Sequence, residues 1–292
     1  KLLQIGHQRR SNPRYRYCFD KYIQEAKPLG RITTINGQWN RSKASCEDLD
    51  WPEGMEIDEA TLNKYGFQDM HQFRNWRWFK GLGGGPIVDL GSHQIDIYNW
   101  YLGAVPRSVM ASGGNDYWKN HQWYDSVMAV YEYLTKDGPV RAFYQTLTTS
   151  SANGYYESFM GLKGTLVISE SANRGSVYRE SWVPEEDWDP WVTKGYLKKV
   201  EGKTVVDNQE KEEAVLDVRE GTFSPAEYKI PVTMNVPYHQ PHIQNFLEAV
   251  RGREKLNCPA QIGYETAVTV LKVNEAIEKG CRLEFKTDEF TV

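Results

Sequence analysis

An imidazole and a carboxylate one helical turn apart are the side chains of this sequence best suited to chemistry. Asp89 and His93 follow a run of three glycines and a proline, from Gly83 to Pro86, that is typical of a helix start. Residues four apart lie on one face of a helix and can touch. Because a carboxylate tunes the pKa of a neighbouring histidine, the pattern predicts His93 as a proton acceptor. Asp89 would orient the imidazole or hold a substrate hydroxyl, and a purely structural pair is the alternative.

The helix that must carry these two residues is predicted over residues 86–102. Apolar side chains recur there with helical spacing, and Gly103 ends the pattern. A hairpin is predicted further along, because apolar and polar residues alternate over 126–135 and over 139–149. The residues between them, 136–138, end in a glycine and are typical of a turn.

The other elements follow from the same kinds of pattern. Strands are predicted at 1–6, 31–39, 157–160, 165–169 and 282–285, helices at 12–27, 58–64, 241–250 and 260–279, and loops at 42–57 and 171–235, the second with a solvated acidic stretch at 207–213. This order favours an α+β fold, a large and mostly antiparallel β-sheet with helices on one face. The other face would be free, so we expect a homodimer or homotetramer formed through that open face.

The composition is that of a globular protein and argues against several classes of function. The 292 residues carry a formal net charge of −4 and no basic cluster, so no nucleic-acid partner is expected. No apolar run approaches the roughly 18 residues of a membrane span. The four cysteines, and His239 with His242, lack a set of metal ligands, so no metal is expected. The 10 Trp and 18 Tyr residues suit a surface that holds sugars or another subunit, or else fill a β-rich core.

The beginning of the sequence has the pattern of a strand interior. Residues 1–6 are predicted as a strand, and the first residue is Lys1 rather than Met. We therefore expect that the natural protein begins further upstream, where any targeting signal would lie. Localisation is left open: cytoplasmic or, with such a signal, periplasmic.

Several short motifs occur in an order that is known from one family of enzymes. The most specific motif is Trp76-Arg77, then three glycines, then Asp89-x-Gly91-x-His93-x-x-Asp96. The weaker ones are residues 6–13, 29–32, 161–166 and 242–251. Together they resemble the Gfo/Idh/MocA oxidoreductases, the glucose–fructose oxidoreductase and inositol dehydrogenase family, over nearly the whole chain. The resemblance places residues 6–13 at the junction between that family's Rossmann domain and its second domain.

This resemblance implies a cofactor and a domain organisation. Family members bind NAD or NADP in an N-terminal Rossmann domain with a glycine-rich fingerprint and a Glu-Lys-Pro segment that carries a catalytic lysine. This sequence contains neither, since residues 81–85 lack the G-x-G-x-x-G spacing and no apolar strand precedes them. Residues 1–10 are therefore interpreted as the tail of a truncated Rossmann domain, and residues 11–292 as a substrate-binding, catalytic α+β domain. We expect the absent domain to bind most of the cofactor and this fragment alone to be inactive.

The resemblance also implies roles for residues near the cofactor. His93 matches the family's proton acceptor, and Trp76 and Arg77 match residues near the nicotinamide or the substrate. An indole offers a flat platform, and an arginine offers donors for hydroxyls or phosphate, although a core Trp with a surface Arg is the alternative. The glycines at 83–85 would let the backbone approach a ligand, and a plain loop explains them equally well.

Further residues are predicted to contact the substrate. One of Arg9 and Arg10, preferably Arg10, is expected to face the ligand crevice at the end of the last Rossmann strand. Asn40 and Arg41 end the first strand of the second domain and could reach the same crevice. Tyr155 follows a glycine between strands and could cover a sugar.

The favoured hypothesis is an NAD(P)-dependent oxidoreductase that interconverts a hydroxyl and a ketone on a sugar, cyclitol or derivative. A second hypothesis is a glycosidase or lyase of the same family that recycles its cofactor, for which the aromatic loops at 115–124 and 181–191 could accommodate a larger glycoside. A third is a non-catalytic module for sugar binding or oligomerisation. Net accumulation of NADH would distinguish the first from the second.

Overall fold

The computed structural model describes residues 1–171, 174–200 and 225–291, and these form two compact units. The first unit comprises residues 1–35 and 156–258, and the second comprises residues 36–155 and 259–292. No described helix is both long enough and apolar enough to cross a membrane. The predicted acidic stretch at 207–213 lies outside the described residues.

The secondary structure alternates a few helices with many strands. The strands are β1 Ile32–Asn40, β2 Pro106–Gly114, β3 Ser126–Thr135, β4 Gly138–Leu147, β5 Tyr155–Gly161, β6 Gly164–Ile168, β7 Gly175–Arg179, β8 Lys198–Lys199, β9 Ala226–Lys229 and β10 Leu283–Glu284. The α-helices are α1 Pro13–Cys18, α2 Glu59–Lys64, α3 Met70–Arg74, α4 Gly85–Asp89, α5 Gly91–Leu102, α6 Asp189–Thr193, α7 Gln240–Val250 and α8 Ala260–Lys279.

The sheet confirms the predicted fold class, α+β with a large and mostly antiparallel sheet of ten described strands. In the second unit the strands run in the order β10-β2-β3-β4, with β1 beside β4. In the first unit the order is β5-β6-β7-β9-β8. The registers that are described within each unit are all antiparallel.

The hairpin of β3 and β4 shows how alternation in sequence produces a two-sided sheet. Thr135 pairs with Gly138 across the turn, and Gly138 adopts a φ of +117°, which favours glycine. Alternate side chains of β3 are buried, whereas those between them include exposed apolar residues. The buried Tyr133 donates a 2.8 Å hydrogen bond to Asn99 of α5. In this unit, helices therefore cover one face of the sheet and the other face is open.

The first unit contains strands that the sequence analysis missed. The hairpin of β5 and β6 was predicted, but β7 and β9 fall within 171–235, where a loop was predicted. Ser176 of β7 pairs with Lys229 of β9, about 50 residues later in the chain. Short strands stabilised by such distant partners leave little local signal, because their pairing depends on tertiary context.

Two predictions near the N-terminus have different outcomes. The prediction of a strand at 1–6 is wrong, because among these residues Gln4 alone forms an isolated β-bridge, and Lys1, Leu2 and Leu3 are exposed. The helix after Asn12 is confirmed as α1, whose first turn is capped when Asn12 Oδ1 accepts from the Arg14 amide at 2.9 Å. The chain then continues as a π-helical segment over Phe19–Glu25.

Candidate functional site

The second unit contains a cleft of about 440 Å³, within the size range of small-molecule sites. It lies where the end of β1 meets the loop at 42–49, α3 and the start of α5. Its lining residues include charged and aromatic side chains, namely Trp39, Arg41, Ser45, Cys46, Glu47, Leu49, Arg74, Asn75, Arg77, Trp78, Asp89, Leu90 and His93. Of the predicted site residues, the structure therefore brings His93, Asp89, Arg77 and Arg41 together.

The helix that carries His93 differs from the prediction of one helix over 86–102. It is broken at Leu90, whose φ of −100° and ψ of −48° separate α4 from α5. Asp89 is the last residue of α4 and His93 lies in the first turn of α5. Two close packing contacts accompany the break, since a Cβ at Gly91 would lie 2.9 Å from Ile87 and from Tyr144. The prediction of one continuous helix is therefore wrong, and Asp89 and His93 both line the cleft.

The described hydrogen bond of Asp89 goes to an arginine. Arg77 Nε donates to Asp89 Oδ1 at 2.9 Å, and the Arg77 guanidinium lies 4.7 Å from the centre of the Trp76 ring. Both partners are partly exposed, so the ion pair contributes little to stability by itself. It fixes the direction of Asp89 and ties the turn at Trp76–Trp78 to α4. Trp76 itself is 40% exposed and does not line the cleft.

Trp39 is the centre of an aromatic group at the end of β1. Its ring lies 5.6 Å from the His93 ring, stacks on Tyr155 at 4.9 Å, and lies 5.2 Å from the Arg41 guanidinium. The sequence analysis named the other three residues as functional but not Trp39. Trp39 precedes Asn40-Arg41 at the end of a predicted strand, and this position was the available signal.

The glycine run before α4 packs against the chain itself. A Cβ at Gly83 would lie 2.7 Å from Arg77 Cα, and one at Gly85, whose φ is +72°, would lie 2.5 Å from Trp123 Cβ. The carbonyl of Gly83 accepts from Trp123 Nε1 at 2.6 Å, and that of Gly84 accepts from Asn274 at 2.8 Å. The sequence analysis left open a backbone approach to a ligand and a plain loop; close packing against the chain's own atoms, which it did not consider, accounts for these glycines.

A second group of side chains lies beside the cleft, where one of them stacks on the lining residue Trp78, and the sequence analysis missed this group. The carboxylate of Asp48 accepts from His71 Nε2 at 2.8 Å and from His121 Nε2 at 2.6 Å. The His121 ring stacks between Trp78 and Trp118, with centroids 5.2 Å away on each side. Burial alone would raise the pKa of Asp48, but the hydrogen bonds from the two histidines outweigh it and hold that pKa below its usual value. These residues are 23 and 73 positions from Asp48, too far apart for a local motif.

Cys46 lies in the cleft but is not suited to act as a nucleophile. Burial raises the pKa of its thiol, the charge of Arg41 opposes that rise, and Asp89 adds to it. A thiol with a raised pKa stays protonated near neutral pH and is a poor nucleophile.

Other predicted substrate residues have structural contacts. Asn40 is buried, and its side chain donates to Ala152 O at 2.9 Å and accepts from Gln145 at 3.2 Å. It therefore holds the loop that precedes β5 and is not part of the cleft lining. Arg10 is buried in the first unit, in a short 3-10 turn at Gln8–Ser11.

Arg9, beside Arg10, belongs to a buried ionic network of the first unit. Arg9 Nη1 lies 2.7 Å from Glu157 Oε1, and Arg9 Nε lies 3.1 Å from Glu170 Oε2. Tyr15 donates to the other oxygen of Glu157 at 2.6 Å. Burial raises the pKa of Glu157 to about 7, against the opposing effects of Arg9 and Tyr15. Arg9 thus connects β5 to the segment after β6.

Comparison with known proteins identifies the family. The family profile described as the oxidoreductase family, C-terminal alpha/beta domain, of the Gfo/Idh/MocA enzymes, matches residues 27–285. Since that match covers most of the sequence, the chain belongs to the Gfo/Idh/MocA oxidoreductase family, as the motifs around His93 predicted. No curated protein matches the sequence significantly.

Solved structures with the same fold are distant in sequence. The WlbA dehydrogenase from Bordetella pertussis, in complex with NADH and UDP-GlcNAcA, is 14% identical with a TM-score of 0.58, over 98% of this chain and 65% of that one. Levoglucosan dehydrogenase, with NADH and levoglucosan, is 14% identical with a TM-score of 0.59, over 96% and 65%. The aldose-aldose oxidoreductase from Caulobacter crescentus, with glycerol, is 13% identical with a TM-score of 0.59, over 98% and 64%. This chain therefore spans about two thirds of each, and the likeness concerns the fold.

Proposed function

We propose that this chain is the substrate-binding and catalytic portion of an NAD(P)-dependent oxidoreductase that interconverts a hydroxyl and a ketone on a sugar, cyclitol or derivative. The observation that carries the proposal is the imidazole of His93 on the wall of a cleft lined by indoles and arginines, in a chain of this oxidoreductase family. Structural relatives solved with NADH and a sugar ligand support the choice of cofactor and substrate class.

The residues of this chain fit only one end of a dinucleotide. The space where a Cβ would lie at Gly83, Gly84 and Gly85 is filled by the chain's own atoms, and the Gly83 amide, a donor that a phosphate would need, already donates to Phe79 O at 3.0 Å. This run is therefore not a phosphate cradle, and the phosphates would be bound by protein outside this chain. The accessible indole of Trp76, with Arg77 above it, offers a flat surface suited to a nicotinamide ring. When bound, the nicotinamide supplies hydride transfer to or from the substrate carbon.

The side chains of the cleft supply the proton chemistry and the positioning. His93 takes the proton of the substrate hydroxyl during oxidation and returns it during reduction, because imidazole exchanges protons near neutral pH. Trp39 limits the movement of the His93 ring by direct contact. The indoles of Trp39 and Trp78 offer apolar faces to a sugar ring. The second oxygen of Asp89, whose first oxygen accepts from Arg77, would accept a hydrogen bond from a substrate hydroxyl.

The test uses the intact protein with NAD or NADP and a panel of sugars and cyclitols. We expect a substrate-dependent increase of NADH or NADPH absorbance. Release of an aglycone without net NADH would instead indicate the cofactor-recycling glycosidase or lyase. Failure to bind either dinucleotide, measured by calorimetry, would reject both enzymatic functions and leave a sugar-binding or assembly module.

The open face of the sheet is the proposed contact between copies of this chain, giving a homodimer or homotetramer. In the second unit this face exposes a patch of apolar side chains, Met110, Met128 and Val130, and Leu134 lies beyond Glu132, which pairs with Arg141 and Arg282. A contiguous apolar patch on an antiparallel sheet is typical of an interface between subunits. Sedimentation velocity should show a dimer or tetramer that the change Val130→Lys dissociates, whereas Val250→Lys, on an exposed position of α7, should leave it intact. A wild-type monomer at micromolar concentration would contradict this contact.

A further inference from the structure

We infer that the cleft takes an anionic sugar, one that bears a carboxylate or a phosphate, and that the guanidinium groups of Arg41 and Arg74 hold this anionic group. The inference deepens the proposed function and rests on it, because it concerns the ligand of the same cleft. It starts from the imbalance of charge among the lining residues.

The cleft has more positive charge than its own carboxylates neutralise. Three arginines and two acids line it. Asp89 is engaged by Arg77 at 2.9 Å, and Glu47 is exposed to solvent. Within the described part of the chain, neither Arg41 nor Arg74 lies within ion-pair distance of a carboxylate. Two guanidinium groups at one cleft, neither of them in an ion pair with its carboxylates, favour a ligand that brings its own negative charge.

Arg41 is held by an aromatic ring rather than by a carboxylate. Its guanidinium lies 5.2 Å from the centre of the Trp39 ring. Stacking on an indole fixes the plane of a guanidinium and leaves its N–H groups, which point outward in that plane, available as donors. The side chain is therefore oriented without using up its hydrogen bonds.

Arg74 is fixed by a backbone carbonyl rather than by a carboxylate. Its Nε donates to the backbone carbonyl of Asp50 at 3.2 Å, which leaves the two terminal nitrogens as donors. Arg74 ends α3, the helix whose His71 is tied to Asp48. Both arginines are half-buried, so their interaction with an anion would be screened less than that of a fully exposed side chain.

The position of Arg41 relative to His93 suits a single sugar unit. Both contact Trp39, the imidazole at 5.6 Å and the guanidinium at 5.2 Å from its centre. Because both lie against the same indole, the imidazole and the guanidinium are at most about 11 Å apart. A sugar acid or sugar phosphate could place its reacting hydroxyl at His93 and its anionic group at the arginines. The planar guanidinium group of an arginine binds a carboxylate or a phosphate through two parallel hydrogen bonds.

The experiment measures binding to the intact protein by calorimetry, without cofactor, so that it does not depend on turnover. The probes are matched sets: D-glucose with D-glucuronate and D-glucose 6-phosphate, and D-galactose with D-galacturonate and D-galactose 6-phosphate. We expect at least one anionic member to bind about tenfold or more tightly than its neutral parent. The tighter member identifies carboxylate or phosphate as the anion, and added NaCl should reduce the preference.

Variants locate the anion site. Arg41→Gln and Arg74→Gln should each reduce the anionic preference, which is the ratio of the Kd of the neutral parent to that of the anionic sugar, to less than about threefold. Arg41→Lys should keep part of the preference, because lysine keeps the positive charge but cannot donate two parallel hydrogen bonds as a guanidinium does. Arg253→Gln is the matched control, since Arg253 is an exposed arginine of the first unit that pairs with Glu248. If a Gln variant fails to fold, Arg41→Lys and the salt titration of the wild type carry the test.

Other outcomes would overturn the inference in distinguishable ways. Equal binding of neutral and anionic sugars would reject the anion site and leave the proposed function standing. An equal loss for both kinds of sugar in Arg41→Gln would make the arginine structural. A selective loss of NAD(P) affinity in either variant would assign the arginines to the cofactor's phosphates. No binding of any sugar to the wild type would reject the anion site and the proposed function together.

Discussion

Arginines lie in two contrasting environments in this chain. In the first unit, Arg9 is fully buried and faces Glu157 and Glu170 at 2.7 and 3.1 Å. In the second unit, Arg41 and Arg74 line a cleft, held by an indole ring and a backbone carbonyl. A buried cation must be paired, because an unpaired charge in the interior is costly. A cation at a cleft can instead pair with a ligand. The comparison therefore distinguishes charges that stabilise the fold from charges that are available to bind a ligand.

The largest expected effect on activity comes from the cleft. His93→Asn removes the proton acceptor and should lower kcat by about 10²- to 10⁴-fold, because general base catalysis contributes on that scale. The melting temperature should change little, since the ring is only half-buried. Steady-state kinetics of the intact protein provide the measurement, with His239→Asn, at an exposed histidine, as the control. Full activity in His93→Asn would end the catalytic assignment.

The largest expected effect on stability comes from the buried network. Arg9→Met leaves two buried carboxylates without their cation and should cost about 3–5 kcal/mol of unfolding free energy. The matched change Arg41→Met should cost at most about 1 kcal/mol, the scale of its partly exposed contact with the Trp39 ring. Urea denaturation of the two variants measures the difference. Similar losses in both would show that the contrast between the two environments is false.

The pH dependence of stability sharpens the same contrast. Burial raises the folded-state pKa of Glu157 to about 7, above the 4.5 of an unperturbed glutamate. The folded state therefore holds this proton more tightly, and the stability from this group, complete below about pH 4.5, is lost as pH rises through 7. One group can contribute a slope of at most about 1.4 kcal/mol per pH unit. Unfolding free energies measured from pH 4.5 to 7.5 should fall less steeply in Glu157→Gln than in the wild type; identical slopes would count against the raised pKa.

A smaller effect is expected at the hydrogen bonds of Asp48 to His71 and His121, beside the cleft. Asp48→Asn weakens the hydrogen bonds to His71 and His121 and should cost about 1 kcal/mol, the scale of a single hydrogen bond. The lowered pKa of Asp48 means that its contribution is present above its unfolded pKa and is lost as pH falls through the folded value. Thermal unfolding at pH 7 tests this, with the exposed Asp50→Asn as the control. If the two variants have the same melting temperature, the hydrogen bonds of Asp48 do not stabilise the second unit.

Local patterns in the sequence predicted the elements whose structure is local. Alternation over 126–135 and 139–149 predicted the hairpin of β3 and β4, and the helix predicted at 58–64 is α2, where Asp58 caps the first turn by accepting from the Thr61 amide at 2.9 Å. The break at Leu90 was missed because the apolar pattern continues through it. The strands β7 and β9 were missed because each depends on partners far away in the sequence.

The candidate site was predictable in its most specific motif and not in its surroundings. His93, Asp89, Arg77 and Arg41 do line one cleft. Asn40 instead binds a loop, because its side chain is buried against Ala152 and Gln145. The hydrogen bonds of Asp48 to two distant histidines could not be predicted from the spacing of residues in the sequence, because only tertiary packing brings the three side chains together.

The central claim is that a sugar binds beside His93. Imidazole resonances of the intact, isotope-labelled protein can be followed by NMR during titration with the tightest-binding sugar, with His239 as an internal reference. The account predicts that the His93 resonances shift saturably with the calorimetric Kd while those of His239 stay fixed. Saturation of the protein by sugar with no change at His93 would contradict it.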